Sequence, residues 1–445
     1  MINLFENIDE NAIDLMWSLS DAGIQHQSVI IFDNGWLADN MISPFSFYSS
    51  AYDDKTGHAL FFNELPVQAF WGIRGNNELA EVYDNDSVRA KIFYHEHREV
   101  ERVEWWNRLD KIEFIDHYNR YGKLYARTYY HHGQPAQKSY FSPDNHEIIN
   151  HNFMTNQIML SFKGKNYFFT NVTEFVVFFI KQNFTVDEYS RVLYNSLSTP
   201  LFVVCALKND VKAALIWDES LAQGVPGNMA EILSNHESDT KRIFFQRQAD
   251  MRKIQHEYHF SRADIVSYLG KTYNFKTEMK PQKNKKTALI VTSSDDIWQL
   301  EKLVQAMPQL NFKIMALTEM SEKLSANSKY SNVSLFPVAE PQNIIDAIKI
   351  SDYLLDINNG PEVLNIVKEA FLAHTLILSV DSVLHRANYM SPKHLFANDQ
   401  YDLMVEKIQT TQNNPLKYDE AIKLQECIYG PMGSKAYYVK ALEKF

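Results

Sequence analysis

The sequence predicts an α/β chain built from two parallel-sheet units, the first of them split by a large antiparallel sheet. Three observations carry this reading. Over the last third, short β-branched runs alternate with helical periodicity, the signature of βαβ crossovers. A weaker version of the same mixture occurs at both ends of the first 275 residues. The stretch separating those ends alternates residue by residue and is cut repeatedly by turn signals. A length of 445 residues is enough for about three compact units.

Taken in order, Ile2 to Phe5 reads as a strand and is followed by a helix with Ile13, Leu15, Met16 and Leu19 on one face. The elements that should continue this unit arrive only after residue 170: a helix over Glu174 to Ile180, a strand over Ala213 to Trp217, a helix after Pro226 and Gly227, and a strand over Lys241 to Gln246. The first unit is therefore expected to comprise 1–26 and 171–275, with 27–170 inserted as an extended antiparallel meander. AspAspLysThrGly (53–57), ArgGlyAsnAsn (74–77) and HisHisGlyGln (131–134) mark its turns. Ten aromatic residues fall between Lys91 and Tyr130. So aromatic a sheet either is thickly covered or covers a partner, and Trp105, Trp106, Tyr118, Tyr121 and Tyr125 are the partner-interface candidates.

Residues 276–286 lose apolar content and carry clustered lysines, as a solvated linker does. Beyond it, runs at 287–292, 313–317, 333–336, 353–357 and 375–380 are strands, with helical patterns at 296–307, 343–350 and 362–373. They form a second unit over 287–415, followed by a helical C-terminal segment, 416–445.

Composition excludes several classes. With 44 basic against 55 acidic residues and a formal charge of −11, the chain does not work by neutralising phosphate backbones, so no nucleic acid partner is expected. Cys205 and Cys427 are too few for a disulfide framework or a four-ligand zinc cluster. The apolar runs fall short of the about 18 residues that span a bilayer, and the expected location is cytoplasmic.

Two Rossmann-like units joined by a hinge match the GT-B arrangement of glycosyltransferases, in which a nucleotide-sugar lies against the C-terminal unit. A diphosphate there needs glycines for close approach, helix N-termini and cations. The loop after the first strand instead reads GluAsnIleAspGluAsn (6–11), and that after strand 287–292 reads SerSerAspAspIle (293–297), placing Asp295 and Asp296 where cations are wanted. These acids also suit helix N-caps and first turns. Retaining GT-B enzymes often carry two glutamates eight positions apart, whereas Glu362 and Glu369 are seven apart. No G-x-G-x-x-G, Walker A, H-E-x-x-H or G-x-S-x-G motif occurs, and His95/His97 and His131/His132 lack a third metal ligand at useful spacing. At AspIleAsnAsnGlyProGluVal (356–363) a strand end feeds polar side chains into a helix N-terminus, on the ligand-binding edge of a parallel sheet. Asn358 and Asn359, with Glu362 and His385, are candidates for binding an extended Ser/Thr-rich peptide, against ordinary capping as the alternative.

Several segments together resemble one family: AspAsnGlyTrpLeu (33–37), IleSerProPhe (42–45), AspHisTyrAsnArgTyrGly (116–122), TyrAsnSerLeu (194–197), ProGlyAsnMet (226–229) and LeuAspIleAsnAsnGlyProGluVal (355–363). The chain is similar over nearly its whole length to the accessory, non-catalytic subunit of the two-subunit protein O-GlcNAc transferase that modifies serine-rich repeat adhesins of Gram-positive bacteria, part of the accessory Sec system. The resemblance implies a GT-B fold with an inserted β-sheet domain, no catalytic residue, metal or cofactor in this chain, and two partners. These are the catalytic subunit, which transfers N-acetylglucosamine from UDP-GlcNAc and which this chain stabilises as a chaperone, and the adhesin polypeptide, unmodified or partly glycosylated. The expected location is cytoplasmic, with peripheral association at the inner face of the membrane left open by the sequence. The competing reading is an independently active retaining GT-B glycosyltransferase using a UDP-sugar, for which Glu369 supplies a carboxylate near the donor register.

Overall fold

The computed structural model describes residues 1–445 except 77, 78, 96, 97, 209, 274, 276–285 and 444. The expected linker therefore lies outside the described residues apart from Lys286, as does His97. The chain divides into two units, Met1–Thr272 with Gly433–Phe445, and Tyr273–Met432.

The first unit opens with β1 (Ile2–Phe5), buried along its whole length as a central parallel strand is. Helix α1 (Glu10–Asp21) follows, its N-terminus satisfied by the Asp9 carboxylate, which accepts from the Ala12 amide at 2.7 Å. Then come β2 (Gln27–Ile30) and β3 (Met41–Ile42). The parallel sheet runs in the order Val266–Tyr268, Thr240–Phe245, Lys212–Trp217, Arg191–Tyr194, β1, β2, β3. Gln27 opens β2 inside the segment expected to belong to the insert, yet β2 pairs in parallel with β1 from Ile2↔Gln27 to Phe5↔Ile30. The alternation from Gln27 onward belongs to β2, an inner strand of the first sheet between β1 and the edge strand β3, and the meander begins at Gly72.

That meander is one ten-stranded antiparallel sheet from Gly72 to Phe169, each strand paired with its sequence neighbours. One face of its later strands, with Ala126, Tyr140, Ile149 and Leu160, packs on helices α2 (Pro44–Ser49) and α3 (Val172–Asn183) through Phe45, Tyr48, Phe175 and Phe179. Asn171 caps α3, and Glu174 reaches back to accept from the Thr170 amide at 2.9 Å. Burial of each such aromatic or aliphatic side chain is worth about 1.5–3 kcal/mol, so the insert and the first sheet share one core.

The second unit has six parallel strands in the order Val333–Phe336, Asn311–Met315, Thr287–Val291, Tyr353–Asp356, Leu376–Val380, Leu395–Phe396. Its two faces carry separate apolar clusters, one around Phe312, Tyr353 and Met404, the other around Leu289, Ile344 and Phe371. The C-terminal helices part company. Helix Pro415–Glu426 packs on the second unit through Tyr418, Ala421 and Ile422. Helix Lys435–Glu443 belongs to the first unit, where Tyr438 and Leu442 meet Leu15 and Leu19 of α1.

Candidate functional site

At the C-terminal edge of the second unit's sheet, the strand Tyr353–Asp356 delivers the Asp356 carboxylate into a buried position. His385 Nδ1 lies 2.5 Å from Asp356 Oδ1, and its Nε2 donates to the Gly360 carbonyl at 2.7 Å. Its hydrogen bond to Asp356 outweighs burial and raises the His385 pKa to about 9, so the ring is a cation at neutral pH. Beside it, Arg386 pairs with Glu362 and donates to the Asn365 side chain. The other Glu362 oxygen accepts from the Val367 amide at 3.0 Å, at the first turn of helix Ile366–Leu372. Two cations on the ligand-binding edge are thus each matched to a carboxylate of the same unit.

The loop between these groups is tied down at every step. Asn358, 2% exposed, accepts from Thr292 Oγ1 at 2.7 Å and directs its amide nitrogen at Ser293 Oγ and the Gly360 and Pro361 carbonyls, each at 3.4 Å. Gly360 comes so close to the 293–294 turn that a Cβ there would stand 2.8 Å from Ser293 Oγ. Asn359 is exposed, with its side-chain nitrogen 2.8 Å from Asp296 Oδ2. Asp295 and Asp296 face solvent and are not N-caps, because the following helix opens only at Leu300. Asp295 accepts from Ser321, and with Glu301, Lys302 and Lys323 it lines a cavity of about 450 Å³.

The structure brings Asn358, Asn359, Glu362 and His385 together, but their availability differs. Asn358 is committed to its own loop, Glu362 and His385 each belong to an internal ion pair, and Asn359 is exposed while its side-chain nitrogen donates to Asp296. Asp356 and Arg386 escaped the sequence reading. The signal for Asp356 was its place at the end of a buried strand, where a carboxylate needs a partner. Glu369 sits half-buried on helix Ile366–Leu372.

The aromatic candidates of the inserted sheet separate in the same way. Tyr125 is 2% exposed and its hydroxyl donates to the Asp33 carbonyl at 3.2 Å; Tyr118 is likewise buried. Gly35, in the left-handed region at φ 90°, allows this approach, since a Cβ would meet Tyr118 O at 2.6 Å. Asp33 itself is buried; burial raises its pKa, while the Ser46, Gly35 and Tyr52 donors oppose that rise. Both tyrosines are core. Trp105, Trp106 and Tyr121 are half-buried. Trp105 is pinned by its indole N–H to Asp116 at 2.9 Å, and Asp116 also receives Arg127. The cross-strand registers Trp105↔Phe114 and Phe114↔Tyr129 place these rings on the face opposite α2 and α3. Phe168, 74% exposed on the edge strand Lys165–Phe169, shares that face. Sequence reasoning missed Phe168 because edge position is set by pairing.

Two Rossmann-like units of the GT-B kind, with a ligand-binding edge closed by internal ion pairs and a large aromatic sheet inserted in the first unit, define a glycosyltransferase-like protein. Four domain models agree in chain order: the GtfB N-terminal domain over 2–48, the GtfB middle domain over 71–170, the GtfB third domain over 172–256, and the GftB/GlyA-F C-terminal domain over 288–425. The chain is 34% identical over 409 residues to the UDP-N-acetylglucosamine–peptide N-acetylglucosaminyltransferase stabilizing protein GtfB of Streptococcus agalactiae, covering 91% of each. To the protein of the same name from Streptococcus pneumoniae serotype 4 it is 34% identical over 450 aligned residues, 99% of this chain and 97% of that one. It also matches a chain of a crystal structure of the GtfA/B complex bound to UDP and GlcNAc over the full length of both, with 32% identity and a TM-score of 0.89. The chain belongs to the GtfB family of stabilizing proteins.

Proposed function

We propose that this chain is the non-catalytic subunit of a UDP-GlcNAc:protein (Ser/Thr) N-acetylglucosaminyltransferase: it stabilises the catalytic subunit and helps to hold a Ser/Thr-rich adhesin acceptor. The observation that carries the reading is the closed ligand edge of the second unit. A donor diphosphate requires cations to meet its charge. Here His385 and Arg386 are paired with Asp356 and Glu362, while Asp295 and Asp296 present negative charge at the neighbouring loop. A nucleotide-sugar would have to break two charge-assisted contacts and face two further carboxylates.

Membership in a family of stabilizing proteins supports the same conclusion. The half-buried Trp105 and Trp106 and the exposed Phe168 of the inserted sheet suit the catalytic subunit, and the exposed Asn359 suits the amides and hydroxyls of an extended, neutral acceptor. Among the described residues no helix is long and apolar enough to cross a membrane, and we place the protein in the cytoplasm, with any contact at the inner membrane face being peripheral.

The test is thermal unfolding of the purified chain with UDP-GlcNAc. A ligand at 100 times its Kd stabilises by about 2.7 kcal/mol. We expect no shift at millimolar UDP-GlcNAc and no sugar transfer to peptide unless the catalytic subunit is added. A clear shift with turnover by this chain alone selects the independent enzyme.

A further inference from the structure

Between α2 and the meander the chain runs as a strap, residues 51–66, that is stapled to the inserted sheet at several points. The Asn119 side-chain nitrogen donates to the Ala51 carbonyl at 2.6 Å. Asp54 and Lys123 pair at 3.1 Å, and the Val100 amide donates to the Leu60 carbonyl at 2.7 Å. Gly122, at φ 75°, lets the turn after strand Ile112–Tyr118 approach so closely that a Cβ there would stand 2.6 Å from the His58 carbonyl oxygen. So fixed a strap nevertheless stands off the sheet between these points.

The gap is a cavity of about 420 Å³. Leu60 and Pro66 line it from the strap, and Leu124, Phe141, Tyr118 and Tyr125 from the sheet. Most of the polar groups around it are committed. Asp54 and Lys123 neutralise each other, the Asn119 oxygen accepts from the Tyr121 and Lys123 amides at 3.0 Å, and the Tyr125 hydroxyl is held by the Asp33 carbonyl. Tyr118 is the exception. It is 8% exposed, and its hydroxyl has no hydrogen-bond partner among the described residues; unlike the hydroxyl of Tyr94, it is not sealed from solvent. Burial pushes its pKa up, so the group is a neutral O–H, able to donate or to accept. The hydroxyl of a buried tyrosine normally finds a partner, because desolvating it without one is costly. The open side of this one is the cavity that Tyr118 lines.

Three rings, aliphatic walls, a rim ion pair that cancels itself and one unmatched hydroxyl offer no counter-charge to a phosphate, a carboxylate or a metal ion. They match a small ring with a single polar substituent, since pockets of this size take their affinity from apolar walls and their orientation from a few placed polar groups. We propose that this cavity binds a small neutral aromatic molecule carrying one hydroxyl, its ring among Phe141, Leu124 and Leu60 and its hydroxyl paired with that of Tyr118. A molecule so placed bridges the strap and the sheet. The site lies wholly within the first unit and does not depend on the function proposed above.

Saturation-transfer NMR on the full chain tests this with para-cresol and toluene, probes that differ by one hydroxyl. The expected result is transfer to both, with para-cresol the tighter binder. In Tyr118→Phe the affinity for para-cresol should fall by about three- to tenfold, the worth of one net hydrogen bond, while that for toluene stays as it was. This variant keeps the ring and strands no partner, so it folds. Leu60→Trp, at a half-buried position on the strap, fills the cavity and should abolish binding of both probes. No transfer to either probe in the wild-type chain overturns the proposal. Para-cresol affinity unchanged in Tyr118→Phe, or an equal loss for both probes there, overturns it as well, because the hydroxyl would then not face the ligand. Undiminished binding in a folded Leu60→Trp chain places the probes elsewhere and has the same consequence. Should Leu60→Trp fail to fold, the two affinities in Tyr118→Phe decide alone.

Discussion

Replacing Asp356 by Asn removes the carboxylate that holds His385 charged, and the consequence follows from the geometry. His385 has its pKa raised from the ordinary 6.5 to about 9, its hydrogen bond to Asp356 being the largest cause. At 1.36 kcal/mol per pH unit that difference is worth about 3 kcal/mol, and partial solvent contact of the ring reduces it to about 2 kcal/mol. The sign is fixed by linkage: a group with a raised folded pKa contributes in full below its unfolded value, and the contribution disappears as pH climbs through the folded value. The loop 356–362 should therefore be best protected below about pH 6.5 and should loosen toward pH 9 and above. Amide hydrogen exchange of this segment, expressed as protection over the intrinsic rate, reads the effect directly. About 2 kcal/mol corresponds to roughly a 30-fold fall in protection from pH 6 to pH 9.5. Asp356→Asn should show reduced protection at pH 6 and little further change with pH, because its His385 titrates near the ordinary value. The same pH profile in wild type and Asp356→Asn would refute the reasoning.

Two further outcomes distinguish available side chains from committed ones. Asn359→Ala should weaken binding of an unmodified acceptor peptide by about three- to tenfold in calorimetry, the worth of one net hydrogen bond, with an unchanged melting temperature; Asn358→Ala, which strands Thr292 and the 360–361 carbonyls, should cost about 1–3 kcal/mol of stability in urea unfolding. Phe168→Glu should weaken co-purification of the catalytic subunit by at least tenfold without unfolding the chain, whereas Tyr125→Ala should destabilise the first unit by about 3–5 kcal/mol.

Much of the fold was legible because it is periodic. Strand Val333–Phe336 matches its expected bounds, and Thr287–Val291, Tyr353–Asp356 and Leu376–Val380 fall within a residue of theirs at either end, since buried parallel strands are continuous apolar runs bounded by polar loops. β2 was assigned to the meander because a four-residue strand reads alike in either sheet, and only its pairing with β1 decides. The aromatic candidates differ in exposure, Tyr118 and Tyr125 being buried and Trp105, Trp106 and Tyr121 half-buried. Tyr118 and Tyr125 differ from Trp105 and Tyr121 by which partner strand or turn lies opposite, a property of register and not of residue type.

The same distinction decides what the ligand edge can do. Sequence places two acids at 295–296 and a polar run at 356–363, which suggests an absent phosphate site but does not show how the remaining cations are disposed. The structure pairs Asp356 with a histidine 29 positions away and Glu362 with an arginine 24 positions away. A lone His or Arg at this edge would attract an anion; matched to a buried carboxylate, each instead fixes a loop. An edge held by internal pairing keeps its shape, and under the function proposed above a surface of fixed shape lets an extended polypeptide bind without an ordering cost in this chain. Charge matching thus fixes the loop 356–362 and leaves His385 and Arg386 paired within their own unit.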